Sequence, residues 1–236
     1  MKKFELTSEF VTFLGKTLFR IKALVSFGDV AEGELGGFIE RENNLDQSGD
    51  AWVYGDAQVY GYAQVSGDAR VYGDAQVYGY ARVSGNAWVY GDAQVYGDAQ
   101  VYGDAWVYGD AWVCGDARVY GDAQVYGDAW VCGDARVYGD AWVSGNARVY
   151  GDAWVYGDAW VQNCRDYSAT SCFGSENRTT TFFRTKDGGI SVRCGCFYGT
   201  LREFREKVKE RHGDSRLAKE YLMLADLMEF RLSKDE

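Results

Sequence analysis

From Gly49 onward the chain reads in sixes, Gly-Asp-Ala-x-Val-Tyr, for 19 consecutive hexads without an insertion. The small residue is Ala in every hexad, from Ala51 to Ala159, and the aliphatic residue is Val, from Val53 to Val161. A helical stripe needs apolar residues three and four apart, whereas Ala and Val here are two apart and then four apart. Ala-x-Val places both side chains on one face of a strand, and Gly-Asp supplies a turn. Three six-residue sides close a triangular coil, and stacked coils pair their strands in parallel around a Val and Ala interior. The pattern therefore predicts an all-β solenoid. Substitutions at the variable positions recur at three-hexad spacing, as Tyr62 with Tyr80, Ser66 with Ser84, and Cys114 with Cys132. The hexads make about six coils, a prism about 30 Å long at the usual strand spacing.

The Val-Tyr-Gly-Asp-Ala-x unit resembles the hexapeptide repeat of left-handed parallel β-helix proteins, the pattern of the bacterial acyltransferase superfamily, over about half of the chain. The resemblance implies a left-handed, triangular β-helix. The near-invariant Gly-Asp/Asn-Ala form is most similar to the non-enzymatic members found in bacteria and their phages. Flanking segments Gly28-Asp29-Val30, Gly36 to Glu40, Thr179 to Phe183 and Cys194 to Phe197 are similar to those that accompany such repeats.

Solenoid ends carry unpaired backbone groups and need covers. Residues 1–48 alternate as strands, in Phe10 to Leu14 and Leu18 to Ile21 around Gly15-Lys16, and are expected to form an N-terminal β cap. The β-helix is expected to span 49–162. Residues 163–236 then predict a small α+β cap. Its hairpin strands are Thr179 to Thr185 and Ile190 to Cys196, and its helices are Leu201 to His212 and Ser215 to Leu232. Leu217, Tyr221, Leu224 and Met228 form a packing stripe on the second helix.

Composition narrows the class. The chain has no Pro, 30 Gly, 8 Trp, 18 Tyr and a net charge of -10 over 236 residues. Its aromatic content excludes a disordered segment, and its glycine spacing excludes collagen. The negative charge argues against direct binding to nucleic acid or to an anionic membrane. No apolar run reaches membrane-spanning length, and Lys2-Lys3 runs at once into Glu5, Thr7, Ser8 and Glu9. The expectation is a soluble protein of the cytoplasm, bacterial or phage-infected, with its six Cys reduced.

Chemistry for catalysis is missing from the repeat. The resemblance implies that acyltransferases of this fold use a histidine between coils and that the related zinc enzymes use three, yet His212 is the only histidine and lies outside the repeat. No catalytic residue, metal or cofactor is assigned, and the protein is expected not to be an enzyme. Cys194 and Cys196 read as core packing. A zinc site with Cys164 and Cys172 would need Cys-x-Cys and Cys-x7-Cys spacings, unlike ordinary zinc knuckles. Cys114 and Cys132 read as replacements of Tyr that an oxidising setting could bridge.

Sorting outward positions by coil side gives three faces. The first carries Trp52, Arg70, Trp88, Trp106, Gln124, Trp142 and Trp160 beside a Tyr column. We assign Trp88, Trp106, Trp142, Trp160, Tyr72, Tyr90, Tyr108 and Tyr126 as a partner-binding face, because a long exposed aromatic stripe marks an interface. A homotrimer by family analogy, a dimer, or a host protein are the expected partners. Asp50, Asp68, Asp104, Asp122, Asp140 and Asp158 form an acidic column along one corner. Such Asp can bond its own turn backbone and keep the surface soluble. Alternatively, one charge per roughly 3 Å, against one per roughly 1.7 Å of duplex DNA, lets the rod imitate nucleic acid and occupy a host DNA-binding or defence protein. Carbohydrate stacking on the aromatic ladders is a third reading.

Overall fold

A computed structural model describes residues 2–233, so Met1 of the N-terminal cap and residues 234–236 of the C-terminal cap lie outside the described residues. Three parallel sheets wrap the hexads into a β-solenoid of about seven turns. The first runs from Trp52–Val53 to Trp160–Val161 in seven strands, and the third from Gln64–Val65 to Trp154–Tyr156 in six. The second runs from Gln58–Val59 to Arg148–Val149. Register follows the three-hexad period, as in Trp88 opposite Trp106 and Val89 opposite Val107. Every hexad Ala and Val is buried in one continuous core.

Parallel pairing sends hydrogen bonds both ways between coils. Among them, Tyr72 N–H donates to Val89 C=O at 3.0 Å and Trp88 N–H to Ala105 C=O at 2.9 Å. Each end coil is therefore left with carbonyls and N–H groups that have no neighbouring coil. Buried backbone groups must find partners, so each cap has to supply both donors and acceptors.

At the first coil the cap supplies donors. Strands β1 (Phe4–Phe13) and β2 (Lys16–Ala23) form a hairpin turning at Leu14-Gly15, one residue earlier than the pattern predicts. β3 (Leu35–Ile39) then joins the second sheet in parallel, with Phe38 opposite Gln58. Parallel stacking thus begins before the hexads, through an irregular coil two residues longer than the rest. Each corner receives one donor side chain. Lys3 Nζ donates to Ala51 C=O at 2.9 Å, Arg20 Nη1 to Gly55 C=O at 3.1 Å, and Asn44 Nδ2 to Ala63 C=O at 2.8 Å. Burial pushes the Lys3 amine below its usual range, against the pull of Asp46, Asp50 and Asp68. Trp52 is fully buried here, edge-on to Phe4 and Phe27.

Glu40 ties the hairpin to the repeat, accepting from Gly61 N–H at 2.6 Å and Lys16 Nζ at 2.7 Å. Burial would raise its pKa, but these bonds and one from Arg41 overcome that and hold it at about 2. A carboxylate with a depressed folded pKa stabilises fully above its unfolded value and loses that contribution as pH falls through the folded one. Stability is therefore expected to drop between pH 4.5 and about 2. In Glu40→Gln this part of the loss should be absent from thermal melts across that window. An identical profile in both proteins would remove the assignment.

The last coil meets acceptors and also donors, the Tyr167 hydroxyl donating to Arg148 C=O at 2.6 Å and Lys186 N–H to Asp158 C=O at 3.1 Å. Trp154 N–H donates to Thr181 Oγ1 at 3.0 Å, Tyr150 N–H to the Tyr167 hydroxyl at 3.3 Å, and Gln162 N–H to Asp166 Oδ2 at 2.9 Å. These residues belong to, or lead into, an antiparallel sheet ordered Tyr167–Phe173, Arg178–Arg184, Ile190–Cys194, Phe197–Thr200. Its central pair is the predicted hairpin. The outer two strands are additional. Helices α1 (Leu201–His212) and α2 (Arg216–Leu232) cover the sheet with a core of Phe182, Val192, Phe204, Tyr221, Leu224 and Met228. Thr200 and Glu203 start α1 with a reciprocal capping box. No helix among the described residues is long and apolar enough to cross a membrane.

Cys114 and Cys132 form a disulfide, correcting the expectation of six reduced thiols. In-register stacking is the cause: equivalent hexad positions lie with Cα atoms 4.6 Å apart, within disulfide reach. Closing a loop of one coil restricts the unfolded chain by about 3 kcal/mol in the chain-entropy model.

Candidate functional face

Each outward position on the first face is set by a strand whose neighbours, in-register above and below, carry its equivalents. Tyr72, Tyr90, Tyr108 and Tyr126 stack in an unbroken ladder, with centroids 5.0, 4.8 and 4.9 Å apart. Trp88 stacks on Trp106 at 5.2 Å. The two columns interlock, because Tyr72, Tyr90 and Tyr126 each meet the indole of the next coil edge-on, as Tyr90 does Trp106 at 6.4 Å. Gln124 interrupts the Trp column and accepts from the Tyr108 hydroxyl at 3.4 Å. Desolvation raises the Tyr72, Tyr90 and Tyr108 hydroxyls, which therefore stay neutral.

The assigned residues are not equally available. Trp106 is 37% exposed, and Trp88 and the four Tyr are half-buried by their stacking. Trp142 lies beneath Lys186 of the C-terminal cap, whose Nζ is 4.2 Å from the ring centroid. Trp160 sits half-buried on the last strand, its indole N–H enclosed without a protein partner. The open stripe thus runs from Tyr72 to Tyr126, with Trp88 and Trp106 at its centre. Stacking covers the ring faces between coils and turns their edges outward.

Two rows of carboxylates border this stripe. Asp68, Asp104, Asp122, Asp140 and Asp158 are exposed along one corner, and Asp50 is half-buried against the N-terminal cap. Asp56, Asp74, Asp92, Asp110 and Asp128 follow the other corner. The expected bonds from corner Asp to their own turns are absent among the described residues. The ladder explains why, since turn N–H groups already donate to the next coil, as Asp68 does to Gly85 C=O at 2.9 Å. A few carboxylates find other donors, such as Asp104 from Asn86 Nδ2 at 2.9 Å and Asp158 from the Tyr198 hydroxyl at 3.1 Å. Most stand free.

Among the described residues, no three His, Cys, Asp or Glu side chains converge to hold a metal, so the structure does not gather Cys164, Cys172, Cys194 and Cys196 into a thiolate site. Cys164, Cys172 and Cys196 are exposed, and Cys194 is half-buried. His212 stacks on Tyr221 at 5.7 Å, away from the repeat.

A continuous in-register stack of hexad coils, closed by a cap at each end, defines a β-solenoid repeat protein. Comparison with family models agrees: the YdcK beta solenoid repeat matches at 63–79, 75–91, 81–97, 93–109, 99–115, 111–127, 129–145 and 141–157. The matched segments start at equivalent hexad positions, always a whole number of hexads apart. No curated protein matches the chain.

Proposed function

We propose that the protein is a non-catalytic interaction scaffold that docks a partner on its first face. The observation that carries this reading is the open stripe from Tyr72 to Tyr126 between two rows of free carboxylates. Ring edges and hydroxyls offer apolar contact, and the rows offer charge on both sides. A surface presenting Arg and Lys suits that arrangement, since their stems can lie on the rings while their heads reach the carboxylates. Within the chain, Lys186 already places a cation on this face, its Nζ over Trp142 and donating to the backbone C=O of Asp140 at 3.1 Å. A second copy docked face to face would set Asp rows against each other, at about 1 kcal/mol per close pair in water. Self-association is therefore the less favoured form, whether as dimer or trimer.

The free carboxylate rows also support the acidic-mimic reading, in which the basic partner is a host nucleic-acid-binding or defence protein. A cytoplasmic location and kinship with the left-handed hexapeptide-repeat proteins belong to the same proposal. Replacing Trp88 and Trp106 with Ser should abolish the assembly the face makes. The mass in light scattering would fall if the chain pairs with itself, and capture of a basic partner from the native host would drop about tenfold or more. Unchanged mass together with unchanged capture would exclude the face.

A further inference from the structure

We infer that the C-terminal module holds a second, separate site, a pocket for a small aryl carboxylate between α1 and the edge of the antiparallel sheet. The cavity encloses about 340 Å³. That is the lower end of the range for small-molecule sites and suits a ligand of one or two rings. Its floor is apolar, built from Phe197, Phe204, Val208 and Tyr221. Phe204 lies edge-on to Tyr221 at 5.8 Å, and Tyr221 is fixed further by accepting from Ser175 N–H at 3.2 Å. The floor is thus preformed.

The mouth has the opposite charge from the rest of the molecule. Arg178, Lys207 and Arg211 line it against a single carboxylate, Glu176, in a chain of net charge -10. Lys207 is matched by Glu210 at 2.8 Å, and Arg178 lies 3.7 Å from Glu176. Arg211 makes no ion pair among the described residues. The turn Cys194-Gly195-Cys196 lets Arg178 lie across it, because a Cβ on Gly195 would come 3.2 Å from Arg178 Nη1. Cations above an aromatic floor recognise a flat apolar body ending in a carboxylate. The guanidinium groups bind the charged end, and the rings bind the rest.

The test uses the full chain with 1-naphthoate and its neutral counterpart 1-naphthalenemethanol, read by titration calorimetry. Naphthoate should bind saturably, and the alcohol about tenfold or more weakly, the value of a charge-assisted bond. Arg178→Gln combined with Arg211→Gln alters only exposed heads and should leave the melting temperature in place. It should weaken naphthoate by a similar factor and leave the alcohol unchanged. Bound naphthoate should also slow alkylation of Cys196, which lines the pocket, but not of Cys164, which does not. Equal affinity for acid and alcohol, indifference to the double substitution, or no saturable binding would each overturn the assignment.

Discussion

Gly79→Ala is expected to cost about 2–5 kcal/mol of stability, whereas Gly151→Ala, the same change four coils further on, should cost only about 1–2. Both glycines occupy the left-handed region, at φ of 75° and 61°, so both variants bear the conformational penalty of an L side chain there. They differ in what lies above. A Cβ at Gly79 would fall 2.9 Å from the backbone N and 3.1 Å from the carbonyl O of Gly97, while one at Gly151 meets nothing within 4 Å. Backbone atoms cannot rotate away. Relief requires the coils to separate, which strains neighbouring bonds such as Tyr78 N–H to Val95 C=O at 3.0 Å. Urea denaturation of the two variants reads the difference directly, and equal losses would show that coil stacking does not select glycine at the corner.

Asp166→Ala is expected to cost about 3–5 kcal/mol, the usual result of removing one partner from a buried ion pair. Asp166 is nearly enclosed, with its side chain 5% exposed, and pairs with Arg184 at 3.2 Å. It also accepts from the N–H groups of Gln162 and Asn163 at 2.9 and 3.0 Å, where the last coil ends. Arg184 in turn donates to Leu232 C=O at 2.7 Å, so the loss should spread to α2. Thermal melting reports the total. Hydrogen exchange at Gln162 and Asn163 should rise first, and protection equal to wild type at those amides would contradict the role given to Asp166.

The repeat was readable because its period and its identities agree. Invariant Ala and Val fix the interior, and paired substitutions such as Tyr62 and Tyr80 fix the coil, which stacks those rings 4.9 Å apart. The three faces follow from the same arithmetic. The chemistry of the caps was not readable, because Lys3, Arg20, Asn44 and Asp166 are ordinary polar residues until the fold sets them over the bare backbone groups of an end coil. The strand Tyr167–Phe173 went unrecognised since its burial does not alternate, and Trp52 looked like a surface residue because its hexad is like any other. The bonding of the corner Asp was misjudged from local turn preference, which the inter-coil ladder overrides. Of the candidate face, its members were legible, but not the stacking that turns ring edges outward or the Lys186 that covers Trp142.

The regular ladder also bears on how such a chain can change length. Each cap bonds only to the coil it touches, so deleting or duplicating a whole coil leaves both junctions chemically intact. Losing a single hexad is different. The solenoid would still close, but the C-terminal module would swing by a third of a turn, and every column above the junction would be reassigned to a new face. A change of length by three hexads is thus the step that keeps Tyr72, Tyr90, Tyr108 and Tyr126 on one face.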